Sequence, residues 1–397
     1  MQRYRLTIFS CFLSYIVQAV IINFAPLLFL TFQDEFDVKI EQITLLVTLN
    51  FVVQLLTDLA SSRFIHKIGY RMGMLLAHVF CFLGLVSLTF LPNILGGFIG
   101  LLIPVIIYAI GGGLLEVLVS PIVEACPTKN KAGLMSLMHS FYCWGVVATV
   151  LLSTGFFVLF GIENWRWMSI IWAVIPFVCF LLFLKVPIFP INPDGEDKPN
   201  YKELFSQRVF VMMLILMVCS GASELAVAQW ASTFAEKALE LDKTMGDLLG
   251  VCGFSLTMAF ARVAYAKFSE KLPLRKAMIF SVMLCIISYL MIGLSNSAVV
   301  GLIGCIVCGF SVGLFWPGTF SLATVSVKGC STTMFALLAL AGDMGCSSGP
   351  TVVGFVAGMT ENGFRGGILA AVIFPILLLV GLVVLGKTKD PANELRK

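Results

Sequence analysis

The chain has 397 residues, of which 59% are hydrophobic and only 12% are charged. Soluble domains carry about 45–50% apolar and about 25% charged residues, so this composition excludes an ordinary soluble protein and indicates a membrane protein. The formal net charge of +4 is small, and we attribute it to basic loops between apolar segments, not to a surface for nucleic acid.

Apolar runs of about 20 residues recur along the chain, and each is long enough to cross a bilayer core of about 30 Å. The pattern predicts an all-α membrane protein with twelve transmembrane helices. The first run has no cleavage-site pattern, so we predict that it is a retained span and not a signal peptide. The predicted spans are 6–32, 42–64, 73–91, 96–124, 132–160, 166–188, 207–236, 246–268, 275–295, 298–327, 331–360 and 366–387.

Basic residues set the predicted orientation of these spans. With the N-terminus in the cytoplasm, most of the 26 Lys and Arg residues fall in cytoplasmic segments, which is the distribution that the positive-inside rule requires. The outer loops are acidic instead, as at Asp34, Glu35 and Asp37. An even number of spans then places both termini in the cytoplasm, and we predict that the protein lies in the cytoplasmic membrane of the cell.

A polar stretch divides the chain into two predicted halves of six helices each. It is rich in proline and mixed charges (DGEDKPNYKE), which is typical of a linker. The loops RFIHKIGYR (63–71) and KFSEKLPLR (267–275) share a basic residue, Phe, Lys and Arg at an offset of 204 residues. We predict an N-terminal half at 1–188, a cytoplasmic linker at 189–206, and a C-terminal half with a short cytoplasmic tail at 207–397. Such pseudo-symmetric halves are typical of transporters with a solute site near the membrane midplane.

Five charged residues lie inside the predicted spans. A charge near the bilayer centre costs roughly 3 kcal/mol or more, so such residues usually face a polar pathway. Asp58 and Arg262 are separated by the repeat offset, and we predict that they act in gating or in an ion pair, together with Lys67 and Arg71 of the basic loop. The three remaining acids are predicted to couple transport to protons: Glu116, Glu224 and Asp343. A structural contact between helices is the alternative role for each.

Polar and aromatic side chains within the spans predict a solute site. Asn50, Gln54 and Asp58 follow one another at four-residue steps and therefore lie on one face of a helix. Aromatic rings beside hydrogen-bonding groups suit a hydroxylated ligand, which has both apolar and polar surfaces. The predicted substrate-binding residues are Gln18, Asn23, Asn50, His139, Tyr142, Glu224, Gln229, Trp230 and Trp316. Packing between helices is the alternative interpretation.

Four motifs resemble those of the major facilitator superfamily. The loop SRFIHKIGYR (62–71) resembles its G-x-L-x-D-R-x-G-R-R pattern, with His66 in the place of the acid. Within the superfamily, GGGLLEVLVSPIV (111–123), LMHSFYCWG (137–145) and WPGTFSL (316–322) resemble motifs of the L-fucose:proton symporters and their sugar-transporting relatives. The resemblance extends over the whole chain and implies two six-helix halves.

The resemblance also implies roles for two residues. Glu116 matches the acid of span 4 that takes the coupling proton, and His139 matches the span 5 residue that lies at the sugar. The second proton-binding acid of the fucose symporters stands in span 1. The matching stretch here, QAVII (18–22), contains no acid.

The sequence therefore predicts a secondary active transporter that works by alternating access, with proton-coupled import of a sugar or similar small polar solute. Its predicted partners are the solute, the coupling proton and the lipid bilayer. We expect a monomer with no cofactor, no metal and no nucleic acid. A proton-driven exporter of drugs or metabolites, an uncoupled facilitator and a transporter-like nutrient sensor remain alternatives. No nucleophile–base motif or phosphate-binding loop indicates an enzyme.

Overall fold

The computed structural model describes residues 3–38, 40–189, 201–231, 234, 246–295, 297–328, 332–360 and 363–386. Every regular element within these ranges is helical. The α-helices are α1 (Arg3–Asn23), α2 (Phe29–Phe36), α3 (Ile40–Leu88), α4 (Leu91–Leu95), α5 (Gly97–Ala125), α6 (Lys131–Phe160), α7 (Trp165–Lys185), α8 (Tyr201–Ser206), α9 (Arg208–Ala228), α10 (Gly253–Phe268), α11 (Leu274–Leu294), α12 (Ala298–Val312), α13 (Phe315–Ser326), α14 (Thr332–Met359), α15 (Gly363–Ala371) and α16 (Ile373–Leu385). A π-helical segment, Gly246–Cys252, precedes α10.

Ten helical segments of the described chain are long and apolar enough to cross a membrane. A helix satisfies its own backbone hydrogen bonds, which is what a bilayer core without water requires. The segments are Tyr4–Leu28, Lys67–Leu88, Gly97–Ala125, Lys131–Phe160, Ile162–Lys185, Arg208–Ala228, Leu249–Phe268, Leu274–Leu294, Val299–Ser326 and Gly363–Leu385. A shorter apolar segment, Leu49–Ser61, lies within predicted span 2. The set agrees with an all-α membrane protein of twelve spans.

Predicted spans 2 and 3 form one element, α3, which Gly69 interrupts. This residue has φ 78° and ψ 158°, a backbone conformation that glycine adopts readily because it has no Cβ. The interruption falls inside the basic loop that the sequence placed between the two spans. The chain therefore turns at the predicted position without leaving helical geometry on either side.

Predicted span 10 is divided into α12 and α13, which Gly313 and Leu314 separate. Pro317 lies four residues after Gly313 and has no backbone N–H, so it cannot donate the helical hydrogen bond to the Gly313 carbonyl. The carbonyl oxygen is thus left for another donor. Predicted span 12 is divided in a similar way, into α15 and α16.

The chain forms two compact units. Unit 1 comprises Met1–Pro127, Phe141–Pro199 and Ser331–Ala336. Unit 2 comprises Thr128–Ser140, Asn200–Cys330 and Leu337–Lys397. The first ten residues of α6 therefore belong to unit 2, and the rest of that helix belongs to unit 1.

Glycines let helices approach closely in both units. In unit 1 a Cβ on Gly145 of α6 would lie 2.7 Å from the Cβ of Ala19 on α1. In unit 2 a Cβ on Gly345 of α14 would overlap the backbone carbonyl oxygen of Val218 on α9. Small residues at such positions allow the close packing on which helix association in membranes depends. Each of these glycines thus packs its helix against the first long helix of its own predicted half.

Candidate functional site

A cluster of amide and acidic side chains lies in unit 1, and we call it the amide–acid cluster. Four members are more than nine-tenths buried, while the fifth, Glu116, is partly buried. Helix α3 presents three of the members at four-residue steps, so they lie on one face of the helix as the sequence predicts. The cluster comprises Gln18 of α1, Asn50, Gln54 and Asp58 of α3, and Glu116 of α5.

Gln18 connects the three helices of the amide–acid cluster. Its Nε2 donates to Oε2 of Glu116 at 3.4 Å and to Oε1 of Gln54 at 3.4 Å. Both distances are at the long end for hydrogen bonds, so the contacts are weak. A carboxylate oxygen of Asp58 also lies within 4.8 Å of one of Glu116. The fold thus brings together two acids that are 58 residues apart in the chain.

Glycine on α5 makes this approach possible. A Cβ on Gly113 would lie 2.9 Å from the backbone oxygen of Gln54 and 3.0 Å from Oδ1 of Asp58. A Cβ on Gly112 would lie 3.3 Å from Oε1 of Gln18. The glycine run that precedes Glu116 therefore places this acid against the polar face of α3.

Three buried amide atoms of the cluster have no hydrogen-bond partner in the described part of the chain. They are Oε1 of Gln18, Oδ1 of Asn50 and Nε2 of Gln54. A buried polar atom without a partner costs about 1–3 kcal/mol, so native proteins keep few of them without a functional reason. Two acceptors and one donor are thus available to a ligand or to water.

A second network lies in unit 2 around Arg262 of α10, and we call it the Arg262 network. Its Nη2 donates to Oε2 of Glu224 at 3.3 Å, and the two side chains are 3% and 10% exposed. Its Nε donates to the carbonyl of Gly313 at 2.8 Å, and Nη1 donates to the carbonyl of His139 at 2.8 Å. The Gly313 carbonyl is the one that Pro317 cannot satisfy. Arg262 therefore provides a donor for the Gly313 carbonyl at the break in span 10, and its positive charge compensates the buried Glu224.

An aromatic row lies beside the Arg262 network in unit 2. The His139 ring is 6.0 Å from the ring of Phe320, and Phe320 is 6.3 Å from the ring of Trp316 in an edge-on arrangement. Gly342 of α14 leaves the space that the Trp316 ring fills. Two of the predicted substrate-binding residues, His139 and Trp316, thus belong to this aromatic row, and both are more than nine-tenths buried.

Other predicted substrate-binding residues have structural contacts. The Nδ2 of Asn23 donates to the carbonyl of Ala19 at 2.8 Å within the same helix. The Nε1 of Trp230 donates to the carbonyl of Pro350 at 3.0 Å, and its ring is 5.0 Å from that of Phe364. These contacts favour the packing role that the sequence left open for both residues.

Glu224, Gln229 and Trp230, which the sequence predicted as one group, lie in different surroundings in the described part of the chain. Glu224 pairs with Arg262, whereas Gln229 is exposed at the end of α9. Tyr142 of α6 is partly exposed in unit 1, and Asp343 of α14 is partly buried in unit 2. Their predicted binding and proton-coupling roles stay predictions.

The predicted gating arginine of the basic loop holds the end of another helix. The Nη1 of Arg71 donates to the carbonyl of Phe183 at 2.6 Å, and Nη2 donates to that of Val186 at 2.8 Å. Pro187, four residues after Phe183, cannot donate to the first of these carbonyls. A cation at the carboxyl end of a helix also interacts favourably with the helix dipole. Lys67 of the same loop is exposed.

The repeated loop, 267–275, also has an arginine that holds the end of another helix, in unit 2. The Nε of Arg275 donates to the carbonyl of Leu382 at 2.8 Å, near the end of α16. Arg71 and Arg275 are separated by the repeat offset of 204 residues. Each arginine therefore caps the last helix of its own predicted half. The gating or ion-pair role of Asp58 and Arg262 stays a prediction.

Sequence reasoning left three polar side chains out of the predicted site. Gln54 was recognised on the polar face of α3 but was not among the predicted binding residues. The hydroxyl groups of Tyr15 and Ser120 lie 3.3 Å apart, one turn from Gln18 and Glu116 respectively. Their spacing from those two residues, three and four positions along a helix, is the signal that could have identified them.

The family model of the Major Facilitator Superfamily matches residues 7–350. The chain belongs to the major facilitator superfamily. It is therefore a multi-pass membrane transporter and not an enzyme, as the sequence predicted. No curated protein matches the chain.

Several solved transporters have the same fold. A crystal structure of the E. coli fucose:proton symporter FucP has a TM-score of 0.77 at 15% identity, over 96% of this chain and 99% of that one. The proton:xylose symporter XylE has a TM-score of 0.82 at 14% identity, over 98% of this chain and 96% of that one. The human organic anion transporter MFSD10 has a TM-score of 0.74 at 16% identity, over 96% of this chain and all of that one (100%). These identities establish the fold alone.

Proposed function

We propose that the protein imports a sugar or a similar small polar solute together with a proton. The observation that carries this proposal is the hydrogen bond from Gln18 to Glu116 inside a cluster of buried amides with unused hydrogen-bonding atoms. One side of the cluster is able to hold a polar solute, and the other holds a proton-binding group. A single amide side chain connects the two.

The free atoms of the cluster define the chemistry of the solute. Gln18, Asn50 and Gln54 carry no charge, and between them they offer two acceptors and one donor. A hydroxyl group both donates and accepts, so neighbouring hydroxyls of one solute satisfy such a set. An uncharged polyhydroxylated solute fits this set better than an ion, because amides provide no compensating charge for a buried ion.

Proton binding at Glu116 would couple to the solute through Gln18. When Glu116 is ionised it accepts from Gln18 Nε2, and when it is protonated that acceptor is weakened. The Gln18 amide is then freer to turn towards a solute. In the proposed cycle, alternating access exposes the site to one side of the membrane at a time, with the proton and solute entering from outside and leaving inside.

The proposed setting is the cytoplasmic membrane, with both termini in the cytoplasm and a monomer as the working unit. The supporting observation is the excess of Lys and Arg in the segments assigned to the cytoplasmic side. Tagging the termini and testing their access to an added protease in sealed cells checks this orientation. Protection of both tags is the expected result.

Uptake by reconstituted vesicles tests the proposed function. Purified protein is placed in vesicles, and entry of radiolabelled monosaccharides and polyols is measured with and without an inward proton gradient. The gradient should drive accumulation of at least one of these solutes. Glu116→Gln, which keeps the side-chain volume, should abolish that accumulation, whereas Glu124→Gln on the same helix should retain it. Uptake that is equal with and without the proton gradient, or accumulation that persists in Glu116→Gln, would refute the coupling.

An anionic solute is the second candidate. A buried cation, Arg262, stands among aromatic residues in unit 2, and the human organic anion transporter shares the fold. The guanidinium already serves Glu224 and two carbonyls, so an anion would have to replace the acid. Including monocarboxylates and organic sulfonates in the same uptake panel decides between the candidates.

A further inference from the structure

The start of α6 and the end of α10 are joined by side-chain hydrogen bonds in unit 2. Nδ2 of Asn130 donates to Oγ of Ser269 at 2.7 Å, and Oδ1 of Asn130 accepts from the backbone N–H of Gly133 at 2.9 Å. The Ser269 hydroxyl donates to the carbonyl of Ala266 at 3.1 Å. A Cβ on Gly133 would lie 2.5 Å from Oγ of Ser269, so the lack of a side chain there allows the contact. The same bonds thus cap the first turn of α6 and hold it against the last turn of α10.

Four lysines lie within two residues of this joined pair. Their segments are 128–131 and 267–272, and Glu270 is the one acid in the two segments. Three of the four lysines are exposed, and the fourth, at position 131, is partly buried. The hydrogen bond between Asn130 and Ser269 therefore gathers cations that are far apart in the chain. We call them the lysine patch: Lys129, Lys131, Lys267 and Lys271.

An apolar rim accompanies the lysine patch. Phe268 and Leu272 are 50% and 44% exposed, and Nζ of Lys267 lies 5.8 Å from the centre of the Phe268 ring. Two membrane-crossing segments meet the patch, since Leu249–Phe268 ends there and Lys131–Phe160 begins there. The patch therefore lies at a membrane surface, where ammonium groups reach lipid headgroups and apolar side chains contact acyl chains.

We propose that the lysine patch binds the headgroup of an anionic phospholipid, whose acyl chains lie against Phe268 and Leu272. Clusters of basic residues that directly adjoin a membrane helix recognise anionic headgroups. A soluble phosphate would account for the lysines but not for the exposed apolar pair beside them. The site uses no residue of the amide–acid cluster, so the inference goes beyond the proposed function. In the proposed orientation the patch faces the cytoplasm.

Native mass spectrometry of the purified full chain tests the proposed lipid site. Phosphatidylglycerol and phosphatidylcholine with the same acyl chains are added in equal amounts to the protein in a neutral detergent, and the bound fraction of each is measured. The wild-type chain should bind phosphatidylglycerol about tenfold more tightly or better. Phosphatidylglycerol should also raise the temperature of thermal unfolding, because a ligand that binds the folded protein stabilises it.

Removal of the exposed lysines should abolish this preference. A lysine near an anionic surface strengthens binding about fivefold, so Lys129→Gln/Lys267→Gln/Lys271→Gln should weaken phosphatidylglycerol binding on the order of a hundredfold. If that variant is not recovered in folded form, Lys271→Gln alone should weaken binding about fivefold. Unchanged binding in Lys271→Gln would contradict the patch.

A matched control removes the same charge elsewhere. Lys185→Gln/Lys202→Gln/Lys328→Gln replaces three exposed lysines outside the patch and should bind phosphatidylglycerol as the wild-type chain does. Glycerol phosphate, which has the charge but no acyl chains, should not displace the lipid at equal concentration.

Three results would overturn the inference. Equal binding of the two phospholipids would mean that the lysines do not select a charged headgroup. Equal losses in the patch variant and in the control variant would mean that any basic surface of the protein is sufficient. Displacement of phosphatidylglycerol by glycerol phosphate would indicate a site for a soluble phosphate.

Discussion

The Arg262 network offers the sharpest test of the packing in unit 2. Glu224 lies on α9 and Arg262 on α10, and their side chains form an ion pair with 3.3 Å between Oε2 and Nη2. Both side chains are at least nine-tenths buried, so water gives them little screening. We expect that breaking this pair from either side destabilises the protein, and that breaking it from both sides adds little to the loss.

The size of the effect follows from the geometry. At 3.3 Å and an effective dielectric constant of about 20, the attraction between the two charges is about 5 kcal/mol. Burying the charges offsets part of this attraction, and removal of one partner from a buried pair typically costs about 3–5 kcal/mol. Glu224→Gln should therefore lower the free energy of unfolding by about 3–5 kcal/mol. Arg262→Met should lower it further, because the carbonyls of Gly313 and His139 also lose their donor.

The double variant Glu224→Gln/Arg262→Met isolates the pair. Both single changes remove the same contact, so the double variant should be about as stable as Arg262→Met alone. The coupling energy should then equal the loss of about 3–5 kcal/mol expected for Glu224→Gln. Sodium dodecyl sulfate titration in mixed micelles measures the free energy of unfolding. Thermal unfolding followed with a thiol-reactive dye ranks the stability of the variants independently, because ten of the cysteines in the described chain are buried when the protein is folded.

Two results would refute this reasoning. Single variants within about 0.5 kcal/mol of wild type would mean that the pair contributes no more than a surface ion pair does. Losses that add fully in the double variant would mean that the two residues act through separate contacts, contrary to the 3.3 Å distance between Nη2 and Oε2. Ser311→Ala is the control for a general loss of packing, because Ser311 is buried and its hydroxyl donates to the carbonyl of Cys308 in the same helix, α12.

Two further predictions concern the polar residues of unit 1 and the repeated loops. Gln54→Leu should abolish solute uptake but leave the free energy of unfolding unchanged or higher by up to about 1 kcal/mol. The change removes a buried N–H group without a partner, which offsets the loss of the weak 3.4 Å hydrogen bond from Gln18. Lost folding together with lost uptake would contradict a binding role. Arg71→Gln and Arg275→Gln should each lower the free energy of unfolding by about 1–2 kcal/mol, because each removes a helix cap. Equal effects of the two changes in thermal unfolding would support the repeat. An effect in only one loop would contradict it.

The transmembrane helices were predictable because their signal is local. A run of about 20 apolar residues has few other stable conformations in a bilayer, so span positions follow from composition alone. The shared face of Asn50, Gln54 and Asp58 was predictable for a similar reason, since helical geometry fixes the direction of residues four apart. The internal break of span 10 was missed, although Pro317 marks it in the sequence, because a single proline does not reveal which carbonyl will find a new donor.

The partners of the buried charges were not predictable, because they depend on which helices lie side by side. The repeat offset related Asp58 to Arg262 but left open whether the two residues meet. The structure shows that Arg262 contacts Glu224, 38 residues away in the chain. Sequence symmetry relates positions in two halves and carries no information about contacts within one half. Trp230 shows the same limit, because its indole N–H finds a carbonyl 120 residues away.

The missing acid of span 1 has a physical explanation. Gln18 stands in the span 1 stretch that has no acid, and its amide reaches Glu116. An acid at the position of Gln18 would place a second negative charge beside Glu116 in a part of the protein where water is scarce. Two like charges that lie close together in a buried site repel each other. A neutral donor in span 1 therefore suits the carboxylate of Glu116, and the departure from the fucose symporter pattern is consistent with the proposed coupling through Glu116 alone.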